Sequence, residues 1–540
     1  MIALATLASG GATSAHGASF TVDATYDAVD AAPGDGLCAA ATAACTLRAA
    51  VMETNALPGA DEISLPAGTY ALSIPGAGED AAATGDLDIA GDLTVTGAGA
   101  ANTVIDAGGL DRAFHVLLAG SSTMTSVSVQ NGSALSGGGI QNEGILNLAS
   151  SIVRANEAET SPGCPGICPA AEGGGIANLG DLEVQEVTIS DNVASVGGGI
   201  VNDGFASLTR SLVTNNTATS EGGAISNFDE MSISESTLSG NLAGSTGGAI
   251  DNNRGVLDIT ESTLDHNQSD YGGAVYNQDS SALSNVTVSA NSAVISGGGL
   301  LNIGSSHTLT ATNVTVADNT SPLGGDIHNG SVDGLGEPGL VSLSNTLIVR
   351  SVIGGDCSGP ITSLGHNLDS DGSCGLSAVG DGTTLEPGIA PLADNGGPTQ
   401  THSLIQGGCA GDACIFPSPA IDAGDNAACP ATDQRGEPRP FDGDGDGIGE
   451  CDIGAYEQQE GPFDLCTGQC PPGPPSPTPT APTPTDPTPT PALPIALPPT
   501  GGDNSSSNPA ALAAAALALP ALTLSFAIGH RFARRVFTQR

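Results

Sequence analysis

Eight copies of the pattern G-G-[GAD]-[ILV]-x-N constrain this chain more than any other feature. They run from Gly137-Gly138-Gly139-Ile140-Gln141-Asn142 to Gly324-Gly325-Asp326-Ile327-His328-Asn329. The first glycines fall at 137, 173, 197, 222, 247, 272, 297 and 324, giving steps of 36, 24, 25, 25, 25, 25 and 27 residues. Each unit continues with period-two alternation, as in Val256-Leu257-Asp258-Ile259-Thr260, and closes on a second Asn such as Asn267 or Asn241. Alternation of that kind specifies strands. Three short strands joined by tight turns fill such a unit and leave no room for a crossover helix. The expected fold is therefore all-β: a right-handed parallel β-helix whose coils stack at about 4.8 Å. Like residues then form columns. Inward Ile, Val and Leu make aliphatic ladders, the glycine pair permits close backbone approach, and Asn178, Asn202, Asn227, Asn252, Asn277 and Asn302 stack as an amide ladder.

Composition narrows the function. Twelve basic residues, all Arg, stand against 58 acids for a net charge of −46 in 540 residues. No basic surface exists to neutralise phosphates, so nucleic acid is excluded as a partner. With 77 Gly, 3% aromatics and no Trp, the chain is not an all-α or coiled-coil protein.

The chain divides into six stretches. Residues 1–18 are small and apolar, end in Ser14-Ala15-His16-Gly17-Ala18, and read as the remnant of a secretory signal with a truncated start, an ordered N-terminal strand being the other reading. Residues 19–136 hold an N-terminal cap and the first coils. Cys45 to Glu53 is a short capping helix, with Leu47 and Val51 on one face. Residues 137–350 are the repeats, interrupted at Glu157–Glu172 by an insert expected to protrude as a loop. Residues 351–460 form a C-terminal region with an Asp-rich loop. A Pro/Thr stalk follows at 461–508, favouring extended polyproline II, and an apolar segment with a basic tail closes the chain at 509–540.

Twelve cysteines behind a signal-like start imply an oxidising compartment. Cys38 and Cys45, Cys164 and Cys168, Cys409 and Cys414, and Cys466 and Cys470 lie close in sequence. Cys357 with Cys374 and Cys429 with Cys451 are wider candidates. Connectivity stays open. No paired C-x-x-C occurs and the His residues are scattered, so disulfide-pinned loops are expected rather than a zinc site.

Leu497-Pro498-Pro499-Thr500-Gly501, the apolar run Pro509–Gly529 and then Arg531, Arg534 and Arg535 together resemble a sortase-type cell-wall sorting signal. The resemblance implies that a sortase takes this chain as substrate at Thr500; a plain C-terminal membrane helix is the alternative. Cys45-Thr46-Leu47-Arg48-Ala49-Ala50 resembles the CSLREA motif of bacterial surface β-helix proteins, with Ala49 where that family usually has Glu. Asp394-Asn395-Gly396-Gly397-Pro398-Thr399, Ser418 to Gly424 and Cys451 to Glu457 resemble the choice-of-anchor region that precedes surface anchors. The G-G-A-I repeats are similar to those of polymorphic outer-membrane proteins. These likenesses imply an extracellular, wall- or membrane-anchored protein; they do not imply a reaction.

Two clusters carry candidate chemistry. In Asp442-Gly443-Asp444-Gly445-Asp446-Gly447-Ile448-Gly449-Glu450-Cys451-Asp452, alternating carboxylates on a Gly-rich loop can converge on calcium; a solvated acidic loop is the other reading. The expected ligands are Asp442, Asp444, Asp446, Ile448, Glu450 and Asp452. Steps of 25 also align Asp229, Arg254 and Asp279, and set Asp251 beside Tyr276. That patch reads as a salt-bridge ladder, a carbohydrate-binding surface or a catalytic site. The G-H-G and R-x-K signatures of polygalacturonases are missing, and so are Ser-His-Asp and G-x-S-x-G arrangements. The expected function is adhesion or carbohydrate and cation binding at the cell surface without catalysis, contacting a glycan or host surface. A polysaccharide lyase or hydrolase and a purely structural surface protein are the rivals.

Overall fold

The computed structural model describes residues 17–160, 169–330, 337–410 and 413–459. The signal-like residues 1–16, the stalk, the sortase-type motif and the terminal apolar run lie outside them. Among the described residues no helix is long and apolar enough to cross a membrane.

The repeats wind into a parallel β-solenoid with four strands per coil. In one coil Ile250–Asn252 belongs to sheet 1, Val256–Thr260 to sheet 2, Thr263–Asp265 to sheet 3 and Gln268–Tyr271 to sheet 4. The four sheets hold 11, 13, 13 and 7 strands, paired in parallel from coil to coil. The expectation of three strands per coil is corrected here. The stretch between the second Asn and the glycine pair is extended and pairs with its neighbours as a fourth strand.

Three corners turn each coil with a single left-handed residue. Between sheets 4 and 1 it is the first glycine of the pair, at φ +63° in Gly247. A Cβ there would lie 2.3 Å from the Ile250 carbonyl oxygen, and one on Gly248 would lie 2.2 Å from the Gly273 oxygen one coil away. The first glycine thus answers to handedness and the second to rung spacing. Gly247→Ala is expected to cost at least about 1–2 kcal/mol from backbone strain alone, read as a lower urea midpoint, whereas Ala at the exposed corner residue Glu186 should cost much less. The other two corners use ordinary residues: Glu186, Arg210, Glu235 and Glu261 between sheets 2 and 3, and Asp191, Asn215 and His266 between sheets 3 and 4.

Between sheets 1 and 2 the corner is held by side chains. Asn142, Asn178, Asn202, Asn227, Asn252, Asn277 and Asn302 are each fully buried. Each donates Nδ2–H to the Oδ1 of the next at 2.7–3.2 Å, ending on Asn329. The second Asn of the unit forms another ladder. Asn156, Asn192, Asn216, Asn241, Asn267, Asn291 and Asn319 are linked in the same way at 2.9–3.1 Å. Its last rung donates to Asp326 Oδ1 at 2.7 Å. Burial holds that carboxyl well above the ordinary carboxylate range, as suits an acid in an amide stack. Between the ladders runs the aliphatic core, with Ile250, Leu257, Ile259 and Leu264 fully buried in a single coil.

The helix Leu47–Ala56 caps the N-terminal end against the first rung, where Ser19–Thr21 pairs with Glu62–Ser64. Thr46 Oγ1 accepts from the Ala49 N–H at 3.1 Å. Arg48 is fully buried; it pairs with Asp27 at 2.7 Å and donates to the carbonyls of Ala82, Gly85 and Asp86. At the other end the coils shrink to two-residue strands (Cys357–Ser358, Leu368–Asp369, Gly382–Thr383). Residues 387–410 and 413–459 then fold back along the outer side of sheet 3. Gln400 O accepts from Thr263, Gln434 Oε1 from Thr287, Thr432 O from Asn285, and Ala455 donates to Thr315. A second apolar cluster, including Leu347, Leu368, Leu404, Ile421 and Ile453, lies beneath.

Disulfides join Cys38 to Cys45, Cys357 to Cys374 and Cys429 to Cys451. Cys409 and Cys414 are register partners in an antiparallel hairpin. Cys164, Cys168, Cys466 and Cys470 fall outside the described residues.

Candidate functional site

The strands of sheet 2 in the repeats are five residues long, and their burial alternates. In Phe205–Thr209 the second and fourth residues face the core while the first is exposed. Parallel register therefore lines up two outward columns. One reads Ile145, Asp181, Phe205, Glu230 and Val256; the other reads Asn147, Glu183, Ser207, Ser232 and Asp258. They border a shallow groove of about 320 Å³. Phe205, at 56% exposure, is the aromatic in this lining. Four carboxylates surround it and no cation does. An exposed ring flanked by carboxylate, amide and hydroxyl groups matches the alternating apolar and hydroxylated faces of a sugar ring. The sequence reading missed this groove because its members are 24 to 36 residues apart and become neighbours only through register.

The patch expected from steps of 25 is differently arranged. Asp251 and Tyr276 are register partners on the outer side of sheet 1, and the buried Asn227, Asn252 and Asn277 are in register on its inner side. Arg254 falls out of line. In sheet 2 Glu230 pairs with Val256 and Val256 with Ser280, so the local steps are 26 and 24. The extra residue is absorbed just before Val256, where Arg254 sits at φ +71°. Gly255 occupies the rung between Asp229 and Asp279. Among the described residues no ion pair links Arg254 to either carboxylate; its guanidinium stands 5.8 Å from the Phe228 ring centre. Asp229 and Asp279 instead give their carbonyls to the Asn ladder at 3.0 and 3.1 Å.

Asp251 is 1% exposed and hydrogen-bonded to Thr246. Burial pushes its carboxyl up to about 7, against the Thr246 hydrogen bond and helped by the Glu221 charge. Burial likewise raises Glu221, with Arg254 pulling it back, and raises Tyr276. Asp251 is withdrawn from solvent, whereas Glu221 and Tyr276 are half-buried.

The Asp-rich loop gathers a different set from the one expected. Asp442 and Asp444 each bring a carboxylate oxygen within 4.8 Å of the other and of Asp422, which the sequence reading had not included. Asp442 also accepts from Gly445 and Gly447, and Asp446 accepts from Ile448 N–H. Asp446, Glu450 and the exposed Ile448 are not in that trio. Asp452 lies apart from that trio. It is 1% exposed, and its two oxygens accept from Asp422 and Gln458 N–H at 2.8 and 2.6 Å. Burial beside Glu457 raises its pKa well above the usual range.

Residues 210–227 match the Chlamydia polymorphic membrane protein repeat. No curated protein sequence matches the chain. Among solved structures, the chain is similar to pectate lyase Pel9A at 12% identity and TM-score 0.38, covering 82% of this chain and 96% of that one. It is also similar to the PL6 family alginate lyase AlyGC at 14% identity and TM-score 0.38, covering 66% of this chain and 54% of that one, about half its length.

Proposed function

We propose that this protein is displayed on the cell surface and holds a glycan along the outer face of sheet 2 without turning it over. The observation that carries the reading is Phe205, exposed in a shallow groove lined by four carboxylates, the Asn147 amide and the hydroxyls of Ser207 and Ser232, with Ile145, Leu182, Ala206 and Met231 as its apolar members. The acidic lining and the net charge of −46 favour a neutral or amino-bearing saccharide over a polyuronate. Surface location is supported by the matched repeat and by the CSLREA-like, choice-of-anchor-like and sortase-type segments. In this reading a sortase or a plain membrane helix fixes the C-terminus. Calcium is bound by Asp422, Asp442 and Asp444 and steadies the region folded over sheet 3.

Binding of the full chain to an array of neutral, amino and uronate glycans tests the proposal. Neutral or amino glycans should be retained, and Phe205→Ala should weaken retention at least about tenfold, the loss of one stacking contact. Equal retention by the variant would move the site elsewhere. Release of reducing ends or unsaturated products would replace the binding reading with an enzymatic one.

A further inference from the structure

Asp88 and His115 are register partners on the outer side of sheet 1, in its first two rungs. Parallel pairing fixes their backbones about 4.8 Å apart. Both side chains are removed from water, Asp88 at 0% and His115 at 8% exposure. Asp88 Oδ2 accepts from the Ala82 N–H at 2.8 Å, while Asp88 Oδ1 and His115 Nε2 make no hydrogen bond. His115 Nδ1 lies 3.4 Å from Asp88 Oδ1, and Nε2 lies 3.5 Å from Glu143 Oε1. Asp80 completes the group: one ligating atom from each of Asp80, Asp88 and His115 lies within 4.8 Å of the others. Asp111 is close by, 6% exposed, and its Oδ2 also has no hydrogen-bond partner. The neighbouring cation is already engaged, since Arg112 pairs with Asp86 at 2.8 Å.

Buried, unsatisfied donor atoms are costly unless something fills their lone pairs. We propose that Asp80, Asp88 and His115 form a binding site for a divalent transition cation of the zinc or manganese type. The imidazole nitrogen among carboxylates selects such ions over calcium, which takes six to eight oxygens. The site is held from behind. Arg48 donates to the carbonyls of Ala82, Gly85 and Asp86, anchoring the segment that presents the Ala82 N–H to Asp88. Its elements come from Asp80, Asp88 and His115, which are dispersed in sequence and assembled by one loop and two rungs. It is independent of the glycan groove and of the Asp442 loop.

Calorimetric titration of the full chain with Zn²⁺ is the test, run on wild type, Asp88→Asn, His115→Gln and the Asp442→Asn/Asp444→Asn double variant. One Zn²⁺ site should survive in the double variant and lose at least about tenfold affinity in D88N and in H115Q. Unchanged Zn²⁺ binding in both single variants, or none in wild type, would overturn the proposal and leave His115 as an imidazolium between Asp88 and Glu143. Should a single variant fail to fold by circular dichroism, wild type decides. Bound Co²⁺ should give visible absorption bands that excess Ca²⁺ does not remove, with a paramagnetically shifted imidazole signal. Absence of that signal would also overturn it.

Discussion

Arg48→Met will cost the fold about 3–5 kcal/mol, the usual penalty for breaking a buried ion pair from one side. Asp27, whose side chain is 1% exposed, would be left charged without its partner, and the carbonyls of Ala82, Gly85 and Asp86 would lose their donor. The loss should concentrate at the N-terminal cap, because a solenoid's coils touch only their neighbours. Hydrogen exchange should therefore accelerate in residues 47–56 and 82–89 before it does in the central coils. Arg48→Lys keeps the charge and loses the planar fork, so it should fall between wild type and Met. An R48M midpoint in urea equal to wild type would remove the cap from the account.

Stability should fall as pH rises from about 4 to 7, and Asp251 should contribute to that slope alongside Asp326 and Asp452, whose carboxyls burial also raises. Its native carboxyl titrates at about 7, above the ordinary range of an unfolded chain, because burial disfavours the charge. Within this window the native state keeps a proton that the unfolded state has released. The stabilisation is complete below the unfolded value, declines through the window and is gone above about pH 7. A shift of this size corresponds to about 4 kcal/mol. Repulsion among the 58 acids slopes in the same direction, so the informative quantity is the difference between wild type and Asp251→Asn. The variant should be flatter across the window and more stable than wild type at pH 8. Parallel curves would show that Asp251 ionises as it does in water.

The solenoid was legible because its demands recur on particular residue types. Only glycine tolerates both the left-handed corner at Gly247 and the close approach at Gly248, and only a side chain that both donates and accepts can continue the ladder through Asn252. The other corners left no such mark. Glu186, Arg210 and Asp191 take the same left-handed geometry with their side chains in water, where no single residue type is demanded. The fourth strand was missed for a related reason: Gln268–Tyr271 is polar and short, and its pairing partners are other coils.

Contacts across long sequence distances were not legible at all. The hydrogen bond from Ala455 to Thr315 and that from Thr263 to Gln400 span 140 and 137 residues, and no local pattern announces them. The candidate patch failed at Arg254 because one inserted residue shifts the phase of every later column in its coil. The groove around Phe205 became visible only when register placed Asp181 and Glu230 on either side of it.

Spin-label distances along one outward column of sheet 2 test the central claim most directly. Labels at Thr123 and Asp258, Asn147 and Thr310, and Thr123 and Ser342 span five, six and eight rungs of the ladder. At about 4.8 Å per rung, the backbone separations should be about 24, 29 and 38 Å, rising linearly with rung number. Distances that do not increase with rung number, or that are broadly distributed, would contradict a chain wound into stacked coils.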